Sequence, residues 1–154
     1  MSLSVDIPGR GSLRLEHVVL DLNGTLTDRG TPIDGVAERV AELGTRLDVH
    51  VLSADTFGVL ASVTAELRAR AHAVATGEDK ARYVAELGAE RCAAIGNGAN
   101  DALMLESAAL GIAVVGPEGA AAHAVRAADV VCRSILDALD LLLDERALHA
   151  TLRL

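Results

Sequence analysis

At 154 residues, half of them apolar and only Phe57 and Tyr83 aromatic, the chain can form one aliphatic core of its own. Its net charge of −8 argues against a nucleic-acid or anionic-membrane partner, which would need a basic face, and two aromatics cannot stack a run of bases. No apolar stretch reaches membrane-spanning length and the first residues are no signal peptide; Cys92 and Cys132 lie in separate apolar runs, so free buried thiols and a cytoplasmic location are expected.

In chain order, residues 1–12, with Pro8-Gly9 and Gly11-Ser12, read as a turn leading into an edge strand. Strands are then predicted at 15–22, 48–52, 72–75, 91–96, 111–115 and 129–132. Helices fit between them at 35–47, 56–70, 78–87, 100–109, 120–127 and 135–143. Residues 36–43 alternate apolar and charged positions at helical spacing. The strands are near-continuous apolar runs, as expected of strands covered on both faces. This alternation predicts an α/β fold: a Rossmann-like three-layer α/β/α sandwich with a mostly parallel central sheet, in one domain over 1–154. Residues 144–154 are expected to be an exposed tail or an oligomer contact.

Two loops carry the chemistry. Asp21-Leu22-Asn23-Gly24-Thr25-Leu26-Thr27 follows the apolar run Val18-Val19-Leu20. Gly96-Asn97-Gly98-Ala99-Asn100-Asp101 follows Ala93-Ala94-Ile95. Each is an acidic, glycine-containing loop at the carboxyl end of a predicted strand, the edge where open α/β sheets bind ligands. A carboxylate there, beside glycines that let backbone N–H groups approach an anion, suits phosphoryl transfer through an aspartyl-phosphate. Ser53 closes the second strand, ahead of Ala54 and Asp55. Lys80, the only lysine among many arginines, starts a predicted helix and offers a compact point charge. The five histidines show no ligand spacing; His17, His50 and His72 read as structural.

The two loops resemble motifs I and IV of the haloacid-dehalogenase superfamily, and most closely those of small cytosolic proteins similar to the phosphorylation domain of P-type ATPases. The resemblance runs from about Leu15 to Leu143. It implies Asp21 as nucleophile and Ser53 and Lys80 as motifs II and III. It implies Gly24, Thr25, Ser53, Ala54, Lys80 and Asn100 around the phosphoryl group, and Asp21, Asn23, Asn97 and Asp101 about a Mg²⁺ ion. Asp55 is left as a cap or a supporting residue. Turn residues 28–32 fall where the family often carries a hairpin flap. The gaps from Asp21 to Ser53 and from Ser53 to Lys80 each hold roughly one helix and one strand, so neither has room for a cap domain. Capless relatives of the sugar-acid phosphatase type assemble as tetramers, which suggests a homo-oligomer, dimer or tetramer, here.

Asn23 and Asn97 depart from the family pattern, which has Asp at both positions. By resemblance, the residue at 23 would serve as the acid–base, a service worth ~10²–10⁴ in rate, and asparagine cannot transfer a proton. Two readings therefore stay open. One is a Mg²⁺-dependent phosphohydrolase-like enzyme, slowed by both replacements, that acts on a small phosphate ester. The other is a catalytically degenerate module that binds or regulates.

Overall fold

The computed structural model describes residues 1–54 and 59–154. The chain opens with an antiparallel hairpin, β1 (Leu3–Ile7) and β2 (Gly11–Leu15), that forms a small sheet of its own. Strict alternation makes it: Leu3, Val5, Ile7, Leu13 and Leu15 point inward and the residues between them outward. The expectation of one strand over 15–22 therefore divides at Glu16. Leu15 belongs to the hairpin, and β3 (His17–Asp21) begins the main sheet.

Directly after the first acidic loop come β4 (Thr27–Asp28) and β5 (Thr31–Pro32), paired antiparallel. Arg29 and Gly30 between them both have positive φ, 49° and 85°, as a two-residue hairpin turn that follows the strand twist requires. This is the flap that the resemblance implied. Helix α1 (Val36–Leu43) buries Val36, Val40 and Leu43 on one stripe and ends at Gly44, sooner than the predicted 47. Then come β6 (Asp48–Ser53), α2 (Val59–Leu67), β7 (Arg70–Ala73), α3 (Gly77–Leu87) and β8 (Cys92–Gly96). The remainder is α4 (Ala102–Ser107), β9 (Leu110–Val114), α5 (Ala122–Ala127), β10 (Val130–Cys132), α6 (Ile135–Leu143) and α7 (Glu145–Leu152).

Six strands form one parallel sheet in the order β10-β9-β8-β3-β6-β7. β3 lies inside it, between β6 and β8, so its carboxyl end is flanked on both sides. One face packs on α1, α2, α6, α7 and the N-terminal hairpin through Val18, Leu20, Val51, Ile95 and Ile112. The other packs on α3, α4 and α5 through Val19, Leu52, Ala94 and Ala113. The result is the three-layer sandwich expected, with no cap domain among the described residues. No helix among them is long and apolar enough to cross a membrane.

Residues 144–154 differ from their expectation. Asp144 caps α7 by accepting from the Arg146 and Ala147 N–H groups, at 3.0 and 3.2 Å. Leu148 and Leu152, one turn apart, are buried in the same core as β1, and the Leu154 N–H reaches the Pro8 carbonyl at 3.0 Å. The helix covers the hairpin because each has an apolar face, and the two meet in one core. Cys92 and Cys132 are free; Cys92 is buried, whereas Cys132 is only half-buried. Burial pushes the Cys92 thiol up to about 11, so it is no nucleophile at neutral pH.

Candidate active site

The first acidic loop is wound about one carbonyl. The N–H groups of Thr25, Leu26 and Thr27 all point at the Leu22 oxygen, at 3.3, 3.0 and 3.2 Å, and the Thr27 hydroxyl joins them at 3.3 Å. The Leu22 N–H continues the ladder to the Leu52 carbonyl of β6 at 3.2 Å. This tight turn, with Gly24 at φ 73°, holds Asp21 at the strand end, only 7% exposed.

Lys80 comes to Asp21 from α3. Thr76 caps that helix through Asp79 N–H at 3.1 Å, which places Lys80 one turn in, with its side chain 2% exposed. Its Nζ donates to Asp21 Oδ1 at 2.8 Å and to Asp101 Oδ1 at 2.7 Å. The other oxygen of Asp101 accepts from the Asn97 and Gly98 N–H groups, at 3.1 and 2.9 Å. Asp101 therefore has both oxygens engaged, and it secures the second loop and the lysine together. Gly96 lies so near the Asp101 carboxylate that a Cβ there would collide with it.

Two carboxylates here share one ammonium. Burial, then the charge of Asp101, drives the Asp21 carboxyl up to about 6, against the pull of Lys80. Burial alone would lower the Lys80 ammonium, but Asp21 and Asp101 outweigh it and hold its pKa above the ordinary value. The cluster keeps an excess negative charge in a poorly solvated place, which a divalent cation would offset.

Thr25 Oγ donates within reach of Asp21 Oδ2 and of Asn97 Oδ1, at 3.2 and 3.3 Å, and so joins the two loops. Asn97 Nδ2 donates to the Gly119 carbonyl at 3.2 Å. Asn23 is exposed, and its Nδ2 donates to Ser53 Oγ at 3.2 Å. Ser53 ends β6, nearly fully buried, with exposed Ala54 next to it. The Asp55 expectation and the predicted helix start at 56 lie outside the described residues. Asn100 is exposed in a short 3₁₀ turn, its carbonyl packed against Gly77 at the start of α3. Asp21, Asn23, Gly24, Thr25, Ser53, Lys80, Asn97 and Asp101 thus meet at one edge; Ala54 and Asn100 lie on its rim.

Among the described residues, no group of three or more His, Cys, Asp or Glu side chains could hold a metal by itself. The oxygen donors at this edge are the Asp21 and Asp101 carboxylates and the Asn23 and Asn97 amide groups, the hard type of ligand that divalent cations such as Mg²⁺ take.

The sequence reading missed two neighbours. The first is the segment 115–121 after β9, which carries Glu118 over Gly24. The second is a cavity of about 330 Å³ lined by Ile33, Gly116, Pro117, Arg133, Ile135 and Leu136. Pro117-Glu118-Gly119 at the same strand edge was the available signal for the first. Nothing in the sequence marked the cavity.

No family model matches the sequence. An uncharacterised protein of Methanocaldococcus jannaschii is 55% identical over 60 residues, 39% of this chain and 64% of that protein. The match thus spans under two thirds of that relative. A second uncharacterised protein of that organism is 46% identical over 39 residues, 25% of this chain and 89% of its own length, and the chain belongs to one family with it. Among solved structures, a HAD-family hydrolase of Streptomyces avermitilis superposes with a TM-score of 0.65 at 21% identity, over 83% of this chain and 84% of that one. The 3-deoxy-D-manno-octulosonate 8-phosphate phosphatase of Moraxella catarrhalis, in complex with magnesium, phosphate and KDO, gives 0.66 at 17% identity, over 90% and 94%. A zinc-transporting PIB-type ATPase gives 0.67 at 27% identity, over 79% of this chain but 20% of that one.

Proposed function

We propose, from the premise that the chain has the haloacid-dehalogenase fold, that it is a Mg²⁺-dependent phosphohydrolase working through an aspartyl-phosphate on Asp21. The observation that carries this reading is Lys80, buried and bonded at once to Asp21 and Asp101. A lysine is placed so when its charge is needed at one point, here between the nucleophile and the phosphoryl oxygens.

In this reading Asp21 attacks phosphorus in line while Lys80 and the Ser53 hydroxyl hold the phosphoryl oxygens. The Thr25 hydroxyl and the backbone N–H groups of Gly24 and Ala54, with Asn100 on the rim, complete the cradle. The donors that fit Mg²⁺ are the Asp21 carboxylate, the Asn23 carbonyl and the Asn97 amide oxygen. Asp101, expected among the ligands, supports them by holding Lys80. When bound, the ion screens the incoming phosphate from the carboxylate and polarises it. With Asn at 97, the metal site has one negative charge fewer than an Asp would give it, and weaker Mg²⁺ binding follows. The substrate is a small phosphate ester. Its organic part reaches the site through an uncapped mouth, beside the cavity that Ile33 and Arg133 line.

Thermal melting with Mg²⁺ and beryllium fluoride tests this reading, because the fluoride mimics an aspartyl-phosphate and a ligand that binds only the folded state raises the midpoint. The expected result is a Mg²⁺-dependent rise that is lost in Asp21→Ala. No rise in well-folded wild type would instead support the degenerate binding module.

A further inference from the structure

The site as described lacks a group that moves protons. Asn23 cannot transfer one, and its amide is committed to Ser53. Asp21 is the nucleophile, and Asp101 is fully buried with both oxygens engaged. A further carboxylate stands over the same loop.

The segment after β9 turns back across the first acidic loop. The Gly119 N–H donates to the Gly116 carbonyl at 2.9 Å and closes the turn. Asn97 seats it twice: Nδ2 donates to the Gly119 carbonyl at 3.2 Å, and the Asn97 carbonyl accepts from the Ala121 N–H at 2.8 Å. Gly116 lies against the Gly24 carbonyl with no room for a Cβ between them. In that turn Glu118, itself exposed, lays its carboxylate against Gly24, the residue after Asn23. A methyl group on Gly24 would collide with Glu118 Oε2 and would meet Asn97 Nδ2 at 3.1 Å.

These contacts give Asn97 a physical reason. Its Oδ1 accepts from Thr25, and its Nδ2 donates to a carbonyl. A carboxylate at 97 would set an oxygen against that carbonyl and release the turn. The amide at 97 and the carboxylate at 118 belong to one arrangement.

We propose that Glu118 is the proton-transfer residue of this site and stands in for the carboxyl group that Asn23 lacks. The proposal rests on the phosphohydrolase reading above. In the first half-reaction, an Asp21 oxygen bonds to phosphorus and the bond from phosphorus to the ester oxygen breaks. Glu118 gives its proton to that departing oxygen. In the second, a water oxygen bonds to phosphorus and the acyl-phosphate bond breaks, which frees the Asp21 carboxylate. A proton of that water passes to Glu118, so the carboxyl group ends the cycle as it began. Its exposure suits the task, because a site without a cap supplies water on that side.

The test uses acetyl phosphate with Mg²⁺. Acetate departs without needing a proton, so labelling of Asp21 does not require the acid, and decay of the phosphoenzyme reads the base. Glu118→Gln is expected to take up phosphate at the wild-type rate and to lose it ~10²-fold more slowly. Glu118→Asp should recover part of the loss. The double variant Asn23→Asp with Glu118→Gln should decay at least as fast as wild type, because the missing acid has been restored. Melting curves establish that each variant is folded. Decay of Glu118→Gln at the wild-type rate would overturn the proposal and leave Asp21 phosphorylation standing. Slow decay in the double variant as well would reduce Glu118 to a structural part of the turn and overturn its proton role. Wild type that takes no phosphate from acetyl phosphate and shows no beryllium fluoride shift would overturn the functional reading itself.

Discussion

Lys80 is held by two carboxylates in a place nearly closed to water, and this sets the cost of removing it. Lys80→Met would leave Asp21 and Asp101 facing each other with no cation, a change worth ~3–5 kcal/mol of stability. The loss should be larger at pH 8 than at pH 5, because Asp21, already pushed up to about 6, takes a proton in the acid range and relieves the repulsion. Urea unfolding at both pH values measures it. Asn23→Asp tests the neighbouring position from the other side. It is expected to speed phosphoenzyme decay by roughly 10-fold, less than the ~10²–10⁴ that a sole acid–base group gives, because Glu118 already serves the wild type. The principal residues of the site were legible in the sequence because each ends or follows an apolar run or opens a helix. Glu118 was less so: a Pro-Glu-Gly turn after a strand marks the sheet edge, but its nearness to the first loop emerges only when Gly116 and Glu118 are seen against Gly24.

Strands β3, β6 and β7 bring three histidines side by side on the α3 face. His17 Nδ1 lies 3.2 Å from His50 Nε2, and His50 Nδ1 lies 2.8 Å from the Tyr83 hydroxyl of α3. The His72 ring packs on Tyr83, their centroids 4.5 Å apart. The sequence reading of these histidines as structural agrees with their contacts, although Tyr83 as their common partner could not be read from spacing. Burial first, then His17, Arg70 and His72, bring His50 down to about 4, with Asp48 opposing. The unfolded chain therefore binds this proton at higher pH than the native one. Stability from this group is fully present above about 6.5 and falls as the pH drops towards 4. His50→Gln should lower the midpoint at pH 7 and flatten its fall between pH 6.5 and 4, which melting curves across that range would show. At the other face, Leu148→Ala opens a cavity between α7 and the rest of the core and should cost ~2–4 kcal/mol in urea unfolding. The turn-apart spacing of Leu148 and Leu152 was visible in the sequence. What it packs on was not, because that surface is a hairpin built by the first fifteen residues.

At the scale of the whole molecule, the strand order puts β3 between β6 on one side and β8 on the other. The alternation of apolar runs and helical stretches made the parallel sheet predictable, since covering both faces imposes that pattern. The element ends were less so. β7 starts at Arg70 rather than 72 because it pairs in register with His50, and α4 starts at Ala102 because residues 99–101 are drawn into a tighter turn about Asp101. The flap, the two loops and the turn bearing Glu118 all gather at one edge of this sheet, with no cap above them among the described residues. The ordinary surface cations are arginines, and Lys80, the one lysine, is buried in the site. Amine chemistry therefore treats this protein unlike most. An acylating reagent meets the terminal amine at once, and meets a second amine only when the site opens. Mass spectrometry should find one added group on the native protein and two in denaturant. The rate of the second addition times the opening of the site, without a fluorophore, a substrate or an engineered label.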